Sequence, residues 1–230
     1  MTTIERNLYA VRDRMTTACV AAGRAPAEVT LLAVSKTFGA DAVLAAMATG
    51  QRAFGENYIA EGVEKIIALR EHAGLVWHCI GPVQSNKTRL VAEHFDWVQS
   101  VDRLKIAQRL SEQRPAHLPP LQICIQVNTD GGANKSGITP DELPALIAEV
   151  AKLPRLRLRG LMTLPEPAIN FEATRAQHLV AKRLFDSVNS AKILVEPLDT
   201  LSMGMTADLE AAIQSGSTMV RVGTAIFGKR

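Results

Sequence analysis

From Ile4 to Ala22, apolar residues recur every three or four positions through Leu8, Val11, Met15 and Cys19, which predicts an amphipathic helix. Thr3 is its expected N-cap and Gly23 its expected C-cap. Beyond it, short and nearly continuous apolar runs alternate with amphipathic stretches. The runs, expected as strands, cover 30–35, 52–55, 76–81, 97–100, 122–127, 158–164, 200–203 and 219–226. Helical stretches lie between them near 40–49, 57–70, 85–94, 103–113, 140–152, 171–189 and 206–215. Strands that are apolar on both faces and separated by helices indicate a buried parallel sheet. Eight such units predict a (β/α)8 TIM barrel with an extra N-terminal helix. An open doubly wound sheet is the alternative, because periodicity does not show closure. No linker, low-complexity run or longer repeat interrupts this rhythm, so residues 1–230 are expected to form one domain.

Composition narrows the class without naming a function. At 47% hydrophobic and 21% charged residues, a disordered chain is excluded. Mean hydropathy is +0.06, and no run approaches the roughly 20 apolar residues of a membrane helix. The N-terminus carries Glu5 early and has no apolar stretch of the signal-peptide kind. The cysteines Cys19, Cys79 and Cys124 are odd in number and far apart, which suits neither a disulfide framework nor a metal knuckle. A reduced, cytoplasmic setting is expected. A net charge of +3 and 4% aromatic residues give little support to nucleic-acid binding.

In a barrel, polar side chains at the C-terminal strand ends build the site. Lys36 ends the apolar run LLAVSK and so places an amine at the barrel mouth. Desolvation there favours the neutral amine, which attacks carbonyls to form a Schiff base. An ordinary solvated lysine at a strand end is the plainer alternative. The last run, MVRVGTAIFG, carries Arg221 inside an otherwise strand-like segment. Alternation puts Arg221 and Gly223 on one face and Val220, Val222 and Thr224 on the other. If the first face is the lumen, an arginine points inward and needs a partner, and a buried ion pair with a barrel carboxylate competes with a functional role.

The loops after the seventh and eighth strands are where barrels often hold phosphate. Here they offer Ser202, Gly204 and Thr206, then Gly223 and Thr224, with Thr206 placed to cap the following helix. An amine, a phosphate cradle and an inward arginine around one mouth suit pyridoxal 5′-phosphate (PLP), held as an aldimine on Lys36. Arg221 would face the pyridine nitrogen and leave it unprotonated, which weakens the ring as an electron sink.

These segments also carry a family resemblance over essentially the whole chain. LLAVSKTF around Lys36, FGENYIAE from Phe54, WHCIGPVQSNK from Trp77, KSGI from Lys135, LRGLMTLPEP from Leu158 and LSMGMTADLEAAIQSGSTMVRVGTAIFG from Leu201 resemble the pyridoxal phosphate homeostasis proteins. The resemblance implies a barrel similar to the N-terminal domain of alanine racemase, the type III PLP fold. It places Lys36 at the cofactor lysine and Ser202, Gly223 and Thr224 in the phosphate segments. Arg221 falls beside the pyridine, and Asn57 and His78 fall near the cofactor in the GEN and WHxIG motifs. It further implies a protein that binds and buffers PLP in vitamin B6 homeostasis, with apo-enzymes as recipients and no established catalysis; a monomer is expected because the subunit-bridging second domain of the racemases is absent.

A small PLP-dependent racemase or lyase is the alternative. Two-base racemisation needs groups on both faces of the cofactor, and the resembling racemases take the second base from a further β domain for which 230 residues leave no length. Tyr58, near a strand end, keeps the enzyme reading open. Lys87, Arg89 and Lys135 form either a basic rim that attracts an anion or a solvated edge. No HExxH or His/Asp cluster points to a metal.

Overall fold

The computed structural model describes residues 2–132 and 136–228. Lys135 therefore lies outside the described residues. The fold is a closed barrel of eight parallel strands in sequential order, as the alternation predicts. The strands are β1 (Thr30–Val34), β2 (Ala53–Glu56), β3 (Val76–Cys79), β4 (Trp97–Val101), β5 (Leu121–Gln126), β6 (Leu156–Met162), β7 (Thr200–Ser202) and β8 (Met219–Val222). Closure is direct, because β1 pairs with β8 through Thr30–Met219 and Leu32–Arg221. Nine α-helices are described, α1 (Thr3–Ala21), α2 (Ala40–Met47), α3 (Ile59–Ala68), α4 (Thr88–His94), α5 (Leu104–Gln113), α6 (Leu143–Val150), α7 (Phe171–Ser190), α8 (Leu209–Gln214) and α9 (Thr224–Phe227).

Alternation along each strand divides two interiors. Outward side chains such as Phe54, Val98, Ile123 and Leu201 join the buried core against the helices. Inward positions are mixed: Leu32, Cys124 and Met162 are buried beside the polar His78, Gln99, Ser202 and Arg221. All three cysteines are buried and free.

Two local expectations change. The N-cap of α1 is Thr2, not Thr3, because Thr2 accepts from the Glu5 amide while Glu5 reaches back to the Thr2 amide. This reciprocal pair satisfies two of the otherwise unbonded first-turn amides. Thr2→Ala is expected to cost about 1 kcal/mol, readable as a lower urea midpoint. The second change is at β8, which stops at Val222 instead of running to 226. Gly223 then turns the chain into α9, whose Phe227 ring stacks on Phe38 at 5.3 Å. Asn7 of α1 donates to the Ile226 carbonyl at 2.9 Å. Since α9 is only one turn long, α1 completes the outer ring by packing on α2, α8 and α9.

Candidate cofactor site

A cavity of about 720 Å³ opens at the C-terminal ends of the strands. Its wall includes Lys36, Asn57, Arg221, Gly223 and Thr224, together with Thr206. Five of the eight residues expected at the site thus meet around one mouth. His78, Ser202 and Gly204 do not line it.

Lys36 occupies the turn after β1 and is half-buried. Among the described residues, its amine makes no hydrogen bond or ion pair to the protein. Asn57 follows β2, and its Oδ1 is buried at the cavity wall without a partner. A Cβ on Gly81 would collide with the Asn57 carbonyl, so the glycine of the WHxIG motif lets β3 approach this wall. Thr206 and Thr224 also line the cavity, with no described protein partner for either hydroxyl. Thr224 reaches it because β8 has already ended: strict strand alternation, which put Thr224 on the opposite face from Arg221, does not extend past Val222.

Arg221 lies at the cavity floor and is only 4% exposed. Its guanidinium donates to Ser202 Oγ at 2.7 Å and to the Thr163 carbonyl at 2.8 Å. A hydroxyl and a carbonyl hold it, where a buried carboxylate was the competing expectation. Burial pushes its pKa down to about 10, and the field of Asp208 partly opposes this. An arginine with that value still carries its charge at neutral pH.

Ser202 is fully buried below the cavity. It donates to Gln99 Oε1 at 2.6 Å, and Gln99 Nε2 in turn lies 2.9 Å from His78 Nδ1. Arg221 can only donate, so this chain from β8 through β7 and β4 to β3 has a natural direction, ending on the His78 lone pair. Ser202 therefore supports the arginine from beneath with its hydroxyl. Gln99 was not singled out in the sequence, although its inward parity on a buried strand was a usable signal.

His78 also stacks on Trp97, with ring centroids 5.0 Å apart. Burial pushes its pKa down to about 3. Between that value and the unfolded value of about 6.5, the unfolded chain binds a proton that the folded one refuses, so stability falls with acidity. From pH 7 to pH 5 this group alone should remove about 2 kcal/mol. Urea unfolding of wild type and His78→Gln at both pH values checks this, with a smaller loss expected in the variant.

The seventh-strand loop is held from behind. Gly204, at φ +91°, accepts from the Arg221 amide, and a Cβ there would collide with Ala212. This glycine shapes the loop against α8. Asp208, and not Thr206, stands at the N-cap of α8, and its side chain accepts from the Met205 amide at 2.6 Å and contacts His178 Nε2 at 2.9 Å. Burial alone would raise the Asp208 carboxyl, but His178, the amide and Arg221 outweigh it and hold it below its ordinary range. Thr206 is thereby left at the cavity.

Other residues considered lie elsewhere. Arg89 is exposed and 3.7 Å from Glu93, and neither it nor Lys87 lines the cavity. Tyr58 heads α3 at 54% exposure, also outside the lining. Among the described residues, no group of His, Cys, Asp and Glu could hold a metal, and no helix is long and apolar enough to cross a membrane.

The site thus sits in a closed parallel barrel with a lysine in the turn after the first strand and a buried arginine on the last. The model of the alanine racemase N-terminal domain matches residues 5–230. The chain is 54% identical over 232 residues to the pyridoxal phosphate homeostasis protein of Escherichia coli K12, covering 100% of this chain and 98% of the relative. The protein of that name from Pseudomonas aeruginosa is 56% identical over 230 residues, with 100% and 97% covered. Among solved structures, PipY of Synechococcus elongatus PCC7942 with PLP bound superposes with a TM-score of 0.84 at 34% identity, covering 98% of this chain and 100% of that one. Alanine racemase of Clostridium difficile 630 shares the fold at a TM-score of 0.75 and 18% identity, with 99% of this chain and 57% of that one covered. The chain belongs to the alanine racemase N-terminal-domain family, among the pyridoxal phosphate homeostasis proteins.

Proposed function

We propose that this protein binds pyridoxal 5′-phosphate as a Schiff base on Lys36 and acts in vitamin B6 homeostasis as a carrier. The observation that carries the reading is the uncommitted Lys36 amine facing a cavity with a buried arginine at its floor. The residues present fit the cofactor: the orphaned Asn57 Oδ1 is a buried polar group that a polar ligand satisfies, and the hydroxyls of Thr206 and Thr224 line the cavity without a described protein partner. Lys36 would hold the aldehyde carbon, and Gly223, Thr224 and Thr206 the phosphate. Arg221 would hold the pyridine side, with Ser202, Gln99 and His78 fixing it from below. Gly204 would set the shape of the phosphate loop.

When bound, the cofactor supplies an electrophilic aldehyde and an electron-accepting ring. The chain's own residues restrain that chemistry. Arg221 donates hydrogen bonds and offers no carboxylate to protonate the ring nitrogen. Apart from Lys36, the described lining has no carboxylate, imidazole, thiol or phenol to serve as a second base. Both features favour carrying over racemisation. The alternative, a small racemase or lyase, would need a base that moves into the cavity.

The reading extends to residues 1–230 as one cofactor-binding domain, monomeric and cytoplasmic, handing its cofactor to apo-enzymes. Incubating the loaded protein with L-alanine and following α-proton exchange tests it. Exchange slower than about 1 s⁻¹ is expected, and turnover above that low end of enzyme rates would favour the racemase alternative.

A further inference from the structure

Behind the Lys36 turn lies a buried charged cluster with no part in the cavity. Lys65 of α3 has a side chain 6% exposed, and Glu56 at the end of β2 is fully buried. Lys65 Nζ donates to the Ser35 carbonyl at 2.7 Å, to Glu56 Oε1 at 2.8 Å and to Glu61 Oε1 at 2.7 Å. Glu56 Oε1 also accepts from the Ser35 hydroxyl at 2.6 Å, and Glu61 Oε1 accepts from the Thr37 amide. Burial pushes the Glu56 carboxyl up, while Lys65 and Ser35 pull it back.

Three of these five contacts end on a residue flanking Lys36, and the other two tie Lys65 to the carboxylates that make them. Ser35 is held at its carbonyl and hydroxyl, and Thr37 at its amide. Thr37 has φ +67°, a left-handed conformation costly for a β-branched residue and kept only where its surroundings over-determine it. Lys36 itself has no hydrogen-bonded side-chain partner among the described residues, so the backbone of this turn sets the point from which its side chain enters the cavity. Buried ion pairs are seldom the most stabilising choice at a packed site. A cluster that grips both neighbours of one lysine has a positional use.

We infer that Glu61 and Lys65, backed by Glu56, are positioning residues that aim the Lys36 amine into the cavity. This rests on the cofactor reading above. Condensation of a lysine amine with an aldehyde forms a C=N bond and releases the carbonyl oxygen as water with the two amine protons, so its rate depends on the angle of approach.

Two probes separate aim from binding. The rate of covalent attachment of pyridoxal 5′-phosphate reports on Lys36, and the affinity for 4′-deoxypyridoxine 5′-phosphate, which lacks the aldehyde, reports on the rest of the cavity. Removing the partly exposed Glu61 leaves the buried Lys65 paired with Glu56 Oε1 at 2.8 Å, so no buried charge is stranded. Glu61→Ala is expected to slow attachment about tenfold and leave analogue affinity unchanged. Glu61→Gln keeps an acceptor for the Thr37 amide and should recover most of the rate. Glu64→Ala, an exposed carboxylate on the same helix, should match wild type. An unchanged rate in Glu61→Ala, equal losses with both probes, or the same slowing in Glu64→Ala would overturn the positioning role alone. A wild type that takes up neither probe would overturn the cofactor reading, and this role with it.

Discussion

Arg221→Glu should lose both the cofactor and much of the barrel's stability. The wild-type guanidinium satisfies Ser202 Oγ and the Thr163 carbonyl inside a closed sheet. A carboxylate in its place faces the Thr163 carbonyl, acceptor against acceptor, with Asp208 adding a second negative field where Arg221 felt a favourable one. Breaking a buried charged arrangement in this way costs about 3–5 kcal/mol. Cofactor affinity should fall by about 3 kcal/mol, or more than a hundredfold, since a donor becomes a repelling acceptor. Arg221→Met separates the two effects. It removes the donor without burying an unpaired anion, so its urea midpoint should lie between wild type and Arg221→Glu while the cofactor spectrum still changes. Unchanged affinity and spectrum in both variants would reduce Arg221 to a strut.

Lys36→Ala should show the opposite profile. The amine makes no described contact with the protein, and the turn's anchors fall on Ser35 and Thr37. Its removal should therefore leave the unfolding free energy, read from urea titration, within about 0.5 kcal/mol of wild type, as for a substitution away from the packed core. Covalent attachment should slow by at least about a hundredfold, because the positioned nucleophile is gone. Stopped-flow absorbance after mixing with pyridoxal 5′-phosphate reads this directly. Attachment at the wild-type rate would remove Lys36 from the centre of the account.

Much of this site was legible because barrel geometry turns strand parity into an address. Lys36 ends an apolar run, which left the barrel mouth or plain solvent for its amine, and the structure puts it on the cavity wall. Arg221 interrupts an apolar run at an inward position, and the structure puts it inside. Parity failed where the strand did: Thr224 was assigned to the wrong face because nothing in GTAIFG signals that β8 has ended at Val222. That segment is β-prone locally, yet it forms the one-turn α9, with Phe227 packed on Phe38. Thr206 looked like a helix cap, but Asp208 two residues later takes that place, which only the final turn before α8 decides. Gln99 was missed although it shares Arg221's inward placement, because amide chains across a lumen depend on which strands face each other. The Glu56–Glu61–Lys65 cluster was equally hidden, since an i,i+4 carboxylate–lysine pair on a helix ordinarily marks a solvated face.

The most direct test is to locate the bond. Wild-type protein loaded with pyridoxal 5′-phosphate, reduced with borohydride, digested and examined by mass spectrometry should carry the phosphopyridoxyl group on the peptide containing Lys36. Label on any other lysine as the principal product, or no covalent label at all, would contradict the account.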